Sequence, residues 1–141
     1  MIPDALIVGA GPAGAMAALV LARAGANVHL VDRASFPRDK LCGDTLNPGS
    51  LAILDQHGLG ATIRARALSI RGMTVTGPRH AVVSADYPDK LCGASLMRRD
   101  LDLLLVEAAV SAGARFTSRV AVRGPMLAPP RGGHYVQGVR V

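Results

Sequence analysis

The chain has 141 residues, half of them apolar, which suffices for one modest core and makes a single domain the first expectation. Sixteen basic against ten acidic residues give a net charge of +6, yet 14 of the basic residues are arginines scattered from Arg23 to Arg140, with no lysine run and no basic-aromatic interleaving. That distribution suits a pocket for anionic groups as well as it suits nucleic acid, but without the interleaving a strand-binding groove is not expected, while two cysteines and the lack of a secretory leader pattern argue against a secreted disulfide scaffold and for a cytoplasmic location.

The apolar run Ala5 to Val8 enters a glycine-rich turn, and "PAGAMAALVLARAG" follows with helical spacing of alanine and leucine. Pro12 suits the first turn of that helix, and Gly25 suits its stop. "NVHLVD", Asn27 to Asp32, alternates and ends on an acid, so the first 32 residues read as one βαβ unit. A loop from Arg33 to Asn47 precedes a helix over Pro48 to Gly60 with a stop at Gly58. "ALSIRGMTVTG" and "HAVVSAD" flank "GPRH", Gly77 to His80, as an inserted antiparallel hairpin. From Arg98 or Arg99, Leu101, Leu104, Leu105, Ala108 and Ala109 share one face of a helix that ends at Gly113. "ARFTS" is a strand candidate, and "RVAVRG" with "HYVQGVRV" flanks a Pro/Gly-rich loop as a second hairpin. The chain stops in alternating apolar residues, an edge that complete domains usually cover, so a truncated larger protein is expected.

"GAGPAG" places Gly9, Gly11 and Gly14 at G-x-G-x-x-G spacing, with Pro12 and Ala13 between the last two. Gly9 permits the tight turn, Gly11 removes a side chain that would hold a pyrophosphate away, and Gly14 lets the helix pack against the strand. Unpaired N–H groups at the helix start then face the phosphates. Asp32, 18 residues beyond Gly14, is placed to accept hydrogen bonds from ribose hydroxyls and to repel a 2′-phosphate. The other reading is a glycine-rich turn of an unrelated α/β protein, with Asp32 merely solvated.

"DALIVGAGPAGAMAALVLARAGANVHLVDRASFPRDKLCGDTLNPGSLAIL" together with "LMRRDLDLLLVEAAVSAGARF" resembles the N-terminal FAD domain of the group containing geranylgeranyl reductases, p-hydroxybenzoate-type hydroxylases and flavin-dependent halogenases. The resemblance implies a Rossmann-like α/β fold, a βαβ start and a parallel sheet with inserted antiparallel hairpins, with residues 1–141 forming part of the FAD-binding domain of a larger two-domain flavoprotein. It assigns Gly9, Gly11 and Gly14 to the pyrophosphate, Pro12 and Ala13 to the cofactor-binding turn, Asp32 to the adenosine ribose, Arg33 to the adenosine site, and Arg98, four residues before Asp102 in "R-x-x-L-D", to pyrophosphate and ribose. Lys40, Cys42 and Gly43 match the "K-x-C-G" loop of the reductase branch on the flavin side. The implied activity is a geranylgeranyl-reductase-like saturation of carbon–carbon double bonds by flavin reduced with NAD(P)H. The alternatives are an FAD-dependent aromatic monooxygenase or halogenase, or an inactive fragment. The implied partners are NAD(P)H and an isoprenoid or aromatic small molecule, with peripheral membrane contact by a missing part left open; no residue of the chain is assigned a catalytic role.

Arg98 sits where a strand gives way to a helix, an unfavourable place for a cation unless an anion offsets the dipole. It reads either as anion support or as a solvated or Asp102-paired arginine, and Arg99 reads as surface. Lys40 reads either as a cation near reduced flavin or as a solvated loop lysine. Cys42 and Cys92 share the local string "DKLCG", but with His29, His57, His80 and His134 scattered they give no paired metal-ligand spacing. The first copy reads as a working loop and the second as a chance echo. The histidines and Met73, Met97 and Met126 read as ordinary packing or surface residues.

Overall fold

A computed structural model describes residues 2–127 and 136–141 of the chain. It divides them into two units, Met1–Asp39 with Arg99–Val141, and Lys40–Arg98.

In the first unit, β1 (Ala5–Val8), α1 (Pro12–Arg23) and β2 (Val28–Val31) form the expected βαβ start, with Ala5 opposite Val28 and Val8 opposite Val31 in parallel register. Ala15, Ala18, Leu19 and Ala22 are buried on one face of α1, the i, i+3, i+4, i+7 spacing of a helix laid on a sheet. Small side chains there let the helix approach closely. Gly25, in the left-handed conformation at φ 88°, ends the helix as expected.

The second unit opens with β3 (Thr45–Leu46), a short strand inside the expected loop. α2 (Pro48–Gln56) is capped by Asn47, whose side-chain oxygen accepts the Ser50 N–H at 2.7 Å. A separate short helix, α3 (Gly60–Arg64), follows the chain reversal at Gly58. β4 (Leu68–Ile70), β5 (Gly72–Thr76), β6 (Val82–Asp86) and β7 (Gly93–Ser95) complete the unit. The expected hairpin is therefore corrected in its first half. β5 pairs antiparallel with β6, but β4 pairs with β7, in a sheet of order β3-β7-β4. Leu51, Leu54, Ile63, Ala94 and Leu96 form the core of this unit. The two copies of "DKLCG" lie in different backbone settings. Lys40 to Gly43 has no regular structure, whereas Asp89 and Lys90 take φ 54° and 57° in a tight turn and Gly93 begins β7.

α4 (Arg98–Ser111) leads back into the first unit and buries Leu101, Asp102, Leu104, Leu105, Val106 and Ala109. Gly113, at φ 107°, follows its end. β8 (Arg115–Thr117) adds to the parallel sheet beside β2, giving the order β1-β2-β8. β9 (Gly124–Leu127) and β10 (Val136–Arg140) form an antiparallel pair. The second hairpin is thus present, but its first strand begins at Gly124 rather than running through "RVAVRG". The Val120 N–H donates to the Asp32 carbonyl and the Arg119 N–H to that of Ala34, which draws this segment onto the end of β2. The centre of the expected Pro/Gly-rich loop and His134 lie outside the described residues.

Candidate cofactor site

The turn between β1 and α1 has the geometry that its glycines predict. Gly9 stands at φ 100°, where any side chain would be strained. A Cβ at Gly14 would lie 1.9 Å from the Gly9 carbonyl oxygen, so only glycine fits between turn and helix. Gly11 is extended and takes the N-cap position, and its carbonyl accepts the Ala15 N–H at 2.9 Å. Pro12, at the first helical position, has no N–H to satisfy. The N–H groups of Ala13 and Gly14 precede the first intrahelical bond and point out of the helix start. No acidic side chain lies in that first turn, so the positive end of the helix dipole is open to an anion.

Asp32 closes this turn from β2 and is 8% exposed. Its Oδ2 accepts the Ala10 N–H at 2.7 Å and its Oδ1 the Ala34 N–H at 2.8 Å. A carboxylate offers about four lone-pair sites, so acceptor capacity remains for a diol. The two backbone bonds hold the group in place before any ligand arrives. Arg33 is exposed beside it. These features fit the ADP half of a dinucleotide: an uncrowded phosphate approach at a helix start, with a fixed acceptor at the end of the next strand.

The other predicted residues lie in the second unit. Lys40 is exposed, as are Cys42 and Gly43. The Cys42 thiol is held below the ordinary thiol range, chiefly by a hydrogen bond from the Arg98 guanidinium and next by the Asp44 backbone. Asp44, at φ 51°, turns its carboxylate back to accept the Arg98 N–H at 2.9 Å. Arg98 is half-buried and Arg99 exposed. The structure thus brings Cys42, Asp44 and Arg98 together in one unit, and Gly9, Gly14 and Asp32 in the other. Both cysteines are free and exposed, and among the described residues no group of three or more metal-ligating side chains comes together. No helix among the described residues is long and apolar enough to cross a membrane.

Sequence reasoning missed the role of Arg38. Its guanidinium pairs with Asp102 at 3.1 Å, the aspartate being fully buried, and lies 5.1 Å from the centroid of the Phe36 ring. Phe36 meets Phe116 edge to face at 5.4 Å. The Arg38 Nε is buried without a hydrogen-bond partner among the described residues. The "R-x-x-L-D" spacing drew attention to Arg98 as support for the cofactor, with pairing to Asp102 as its other reading. The pairing with Arg38, 64 residues upstream, carries no local signal.

Residues 3–125 match the family described as FAD binding domain. Among curated proteins, the chain is 42% identical over 115 residues to the menaquinone reductase of Mycobacterium tuberculosis, an alignment covering 79% of this chain and 28% of that protein. Among solved structures, the myxobacterial chondrochloren halogenase CndH, an FAD-dependent halogenase variant, matches with a TM-score of 0.78 at 26% identity, covering 88% of this chain and 30% of that one. The flavin-dependent halogenase CmlS matches in fold, with a TM-score of 0.77 at 24% identity over 99% of this chain and 28% of that one. The chain therefore spans less than a third of the length of each of these relatives.

These findings overturn the expectation of a geranylgeranyl-reductase-like enzyme that saturates double bonds. The fold matches flavin-dependent halogenases, and the monooxygenase or halogenase alternative has the better support. The reductase reading leaned on Lys40, Cys42 and Gly43, which lie in an exposed stretch without regular structure. The Rossmann-like βαβ fold, the inserted antiparallel hairpins and the match along nearly the whole chain agree with one another, and the chain belongs to the FAD binding domain family.

Proposed function

We propose that this chain is the cofactor-holding part of an FAD-dependent oxidoreductase of the halogenase or monooxygenase kind, with NAD(P)H as the electron source and an aromatic or other small molecule as the substrate. The observation that supports this most is the likeness to CndH along 88% of the chain. FAD, when bound, supplies a two-electron carrier whose reduced form reacts with oxygen.

The chain's own residues bind and orient. In this reading Gly9, Gly11, Pro12, Ala13 and Gly14 form the pyrophosphate turn, where the Ala13 and Gly14 N–H groups meet the phosphates. Asp32 grips the adenosine ribose, and Arg33 lines the adenosine. Arg98 supports the negatively charged part of the cofactor, while Lys40, Cys42 and Gly43 form a loop on its flavin side. Residues 1–141 then act as part of an FAD domain.

A second reading, reduction of a quinone, is favoured by the 42% identity to menaquinone reductase. Flavin reoxidation separates the two. The flavin-loaded protein is reduced anaerobically with NADH or NADPH and then mixed with oxygen or, still anaerobically, with menadione. Rapid reoxidation by oxygen with slow reoxidation by menadione supports the first reading; the reverse supports quinone reduction. Failure of the chain to retain FAD through gel filtration would sink both.

A further inference from the structure

Among the described residues, six non-glycine residues have positive φ. Arg79 with His80 and Asp89 with Lys90 are consecutive pairs in tight turns, which leaves Asp44 and Arg119 standing singly. A non-glycine residue in this region is held there against a steric cost that glycine avoids and asparagine lessens, and such positions cluster where a side chain has a task. For Asp44 the gain is visible, since its carboxylate accepts the Arg98 N–H.

Arg119, at φ 62°, follows β8 where the chain folds over the turn that carries Asp32. The Asp32 N–H donates to the Thr117 carbonyl at 3.1 Å and the Val120 N–H to the Asp32 carbonyl at 2.9 Å, so residues on both sides of Arg119 are tied to the acid's own backbone. The Arg119 N–H reaches the Ala34 carbonyl at 3.4 Å, and its Nε donates to Ser35 Oγ at 2.9 Å. One edge of the guanidinium is thereby tethered to the Asp32–Ser35 turn. Its two terminal amino groups have no partner among the described residues, and the side chain is exposed. Among the described residues no carboxylate forms an ion pair with it.

A planar, weakly hydrated cation held beside a ribose acceptor is suited to the face of an aromatic base. We infer that Arg119 is a contact residue for the adenine of FAD, its guanidinium laid against the ring whose ribose Asp32 holds. This assignment rests on the cofactor placement proposed above. It also explains why a position that favours glycine carries the largest cation, tethered by a serine three residues beyond the acid.

The test uses Arg119→Gly, which keeps the left-handed turn while deleting the side chain, and Arg119→Asn, which also tolerates that conformation. FAD, ADP and FMN are titrated separately into the purified 141-residue chain, and the ligand-free melting temperature is recorded. Both variants should weaken FAD and ADP binding by about tenfold, leave FMN binding unchanged because FMN has no adenine, and melt no lower than the parent. Arg119→Lys should fall between, keeping the charge but losing the plane. Unchanged FAD and ADP affinity in the glycine and asparagine variants would overturn the assignment, as would an equal loss for FMN. Asp32→Ala separates this failure from that of the underlying placement. If it too leaves FAD binding unchanged, the placement falls and the adenine contact with it; if it weakens FAD binding while Arg119→Gly does not, only the role of Arg119 falls.

Discussion

Replacing Gly14 with alanine tests the turn at its tightest point. The added Cβ would lie 1.9 Å from the Gly9 carbonyl oxygen, 3.1 Å from the Gly9 carbonyl carbon and 3.3 Å from Ile7 Cγ2. The first of these is roughly 1.5 Å short of the separation of about 3.5 Å at which non-bonded heavy atoms attract. Two of the three atoms are backbone, so no rotamer change relieves the clash, and α1 must move away from the end of β1. Overpacking of this kind costs about 1–3 kcal/mol, and a backbone neighbour places it at the upper end. The better helix propensity of alanine returns up to about 1 kcal/mol, leaving a net loss of about 2 kcal/mol. For a chain of this size that lowers the melting temperature by about 6–8 °C, and the displaced helix start should weaken FAD binding at least about tenfold. Gly49→Ala is the control: it also lies in the first turn of a helix, but its Cβ would meet only Asn47 Oδ1, at 3.4 Å. Thermal melts followed by circular dichroism and fluorescence titration with FAD measure both effects. A Gly14→Ala protein that melts within about 2 °C of the parent and binds FAD equally well would refute the close approach of helix and turn.

Arg38→Met should destabilise the chain by about 3 kcal/mol in urea unfolding, because it removes an ion-pair partner from a buried carboxylate. The double variant Arg38→Met/Asp102→Leu should be more stable than the single one, and an equal or larger loss would show that the pair does not set the cost. His29 sits below its ordinary pKa, first through burial and then through the Arg115 guanidinium. Because arginine can only donate, His29 Nδ1 accepts from Arg115 at 3.0 Å and the ring N–H on Nε2 donates to Thr117 Oγ1 at 2.9 Å. The folded chain therefore binds this proton less readily than the unfolded one. Its contribution is complete above the ordinary histidine value of about 6.5 and is lost as pH falls below it. Melts from pH 7.5 to 5.5 should decline more steeply for the parent than for His29→Gln, and parallel curves would contradict this. At pH 7, iodoacetamide should modify Cys42 faster than Cys92, since Arg98 favours the Cys42 thiolate. Arg98→Ala should slow Cys42 severalfold without touching Cys92, peptide mass spectrometry giving both rates; equal slowing at the two sites would rule out a specific contact.

The sequence by itself determined the features that depend on neighbours along the chain. Gly9, Gly14 and Gly25 announced backbone positions that other residues cannot take, the spacing of Ala15, Ala18, Leu19 and Ala22 announced the buried face of α1, and Asp32 followed as the acid at the end of β2. Each rests on sterics or periodicity over a few residues, so α1 and the β1-to-α1 turn lie where they were expected. Tertiary structure decided everything that required choosing between distant partners. "ALSIRGMTVTG" reads as one strand, but its two halves find different partners, β7 and β6, because strand pairing is set by hydrogen bonds to remote backbone and not by local pattern. "RVAVRG" alternates as a strand should, yet Arg119 and Val120 give their N–H groups to the Ala34 and Asp32 carbonyls, and β9 starts only at Gly124. The ion pair of Arg38 with Asp102 and the tether of Arg119 to Ser35 join residues 64 and 84 positions apart. No local sequence signal marks any of these four residues as paired, and only the folded chain brings each beside its partner, with Asp102 buried against Arg38 while Arg119 and Ser35 stay exposed.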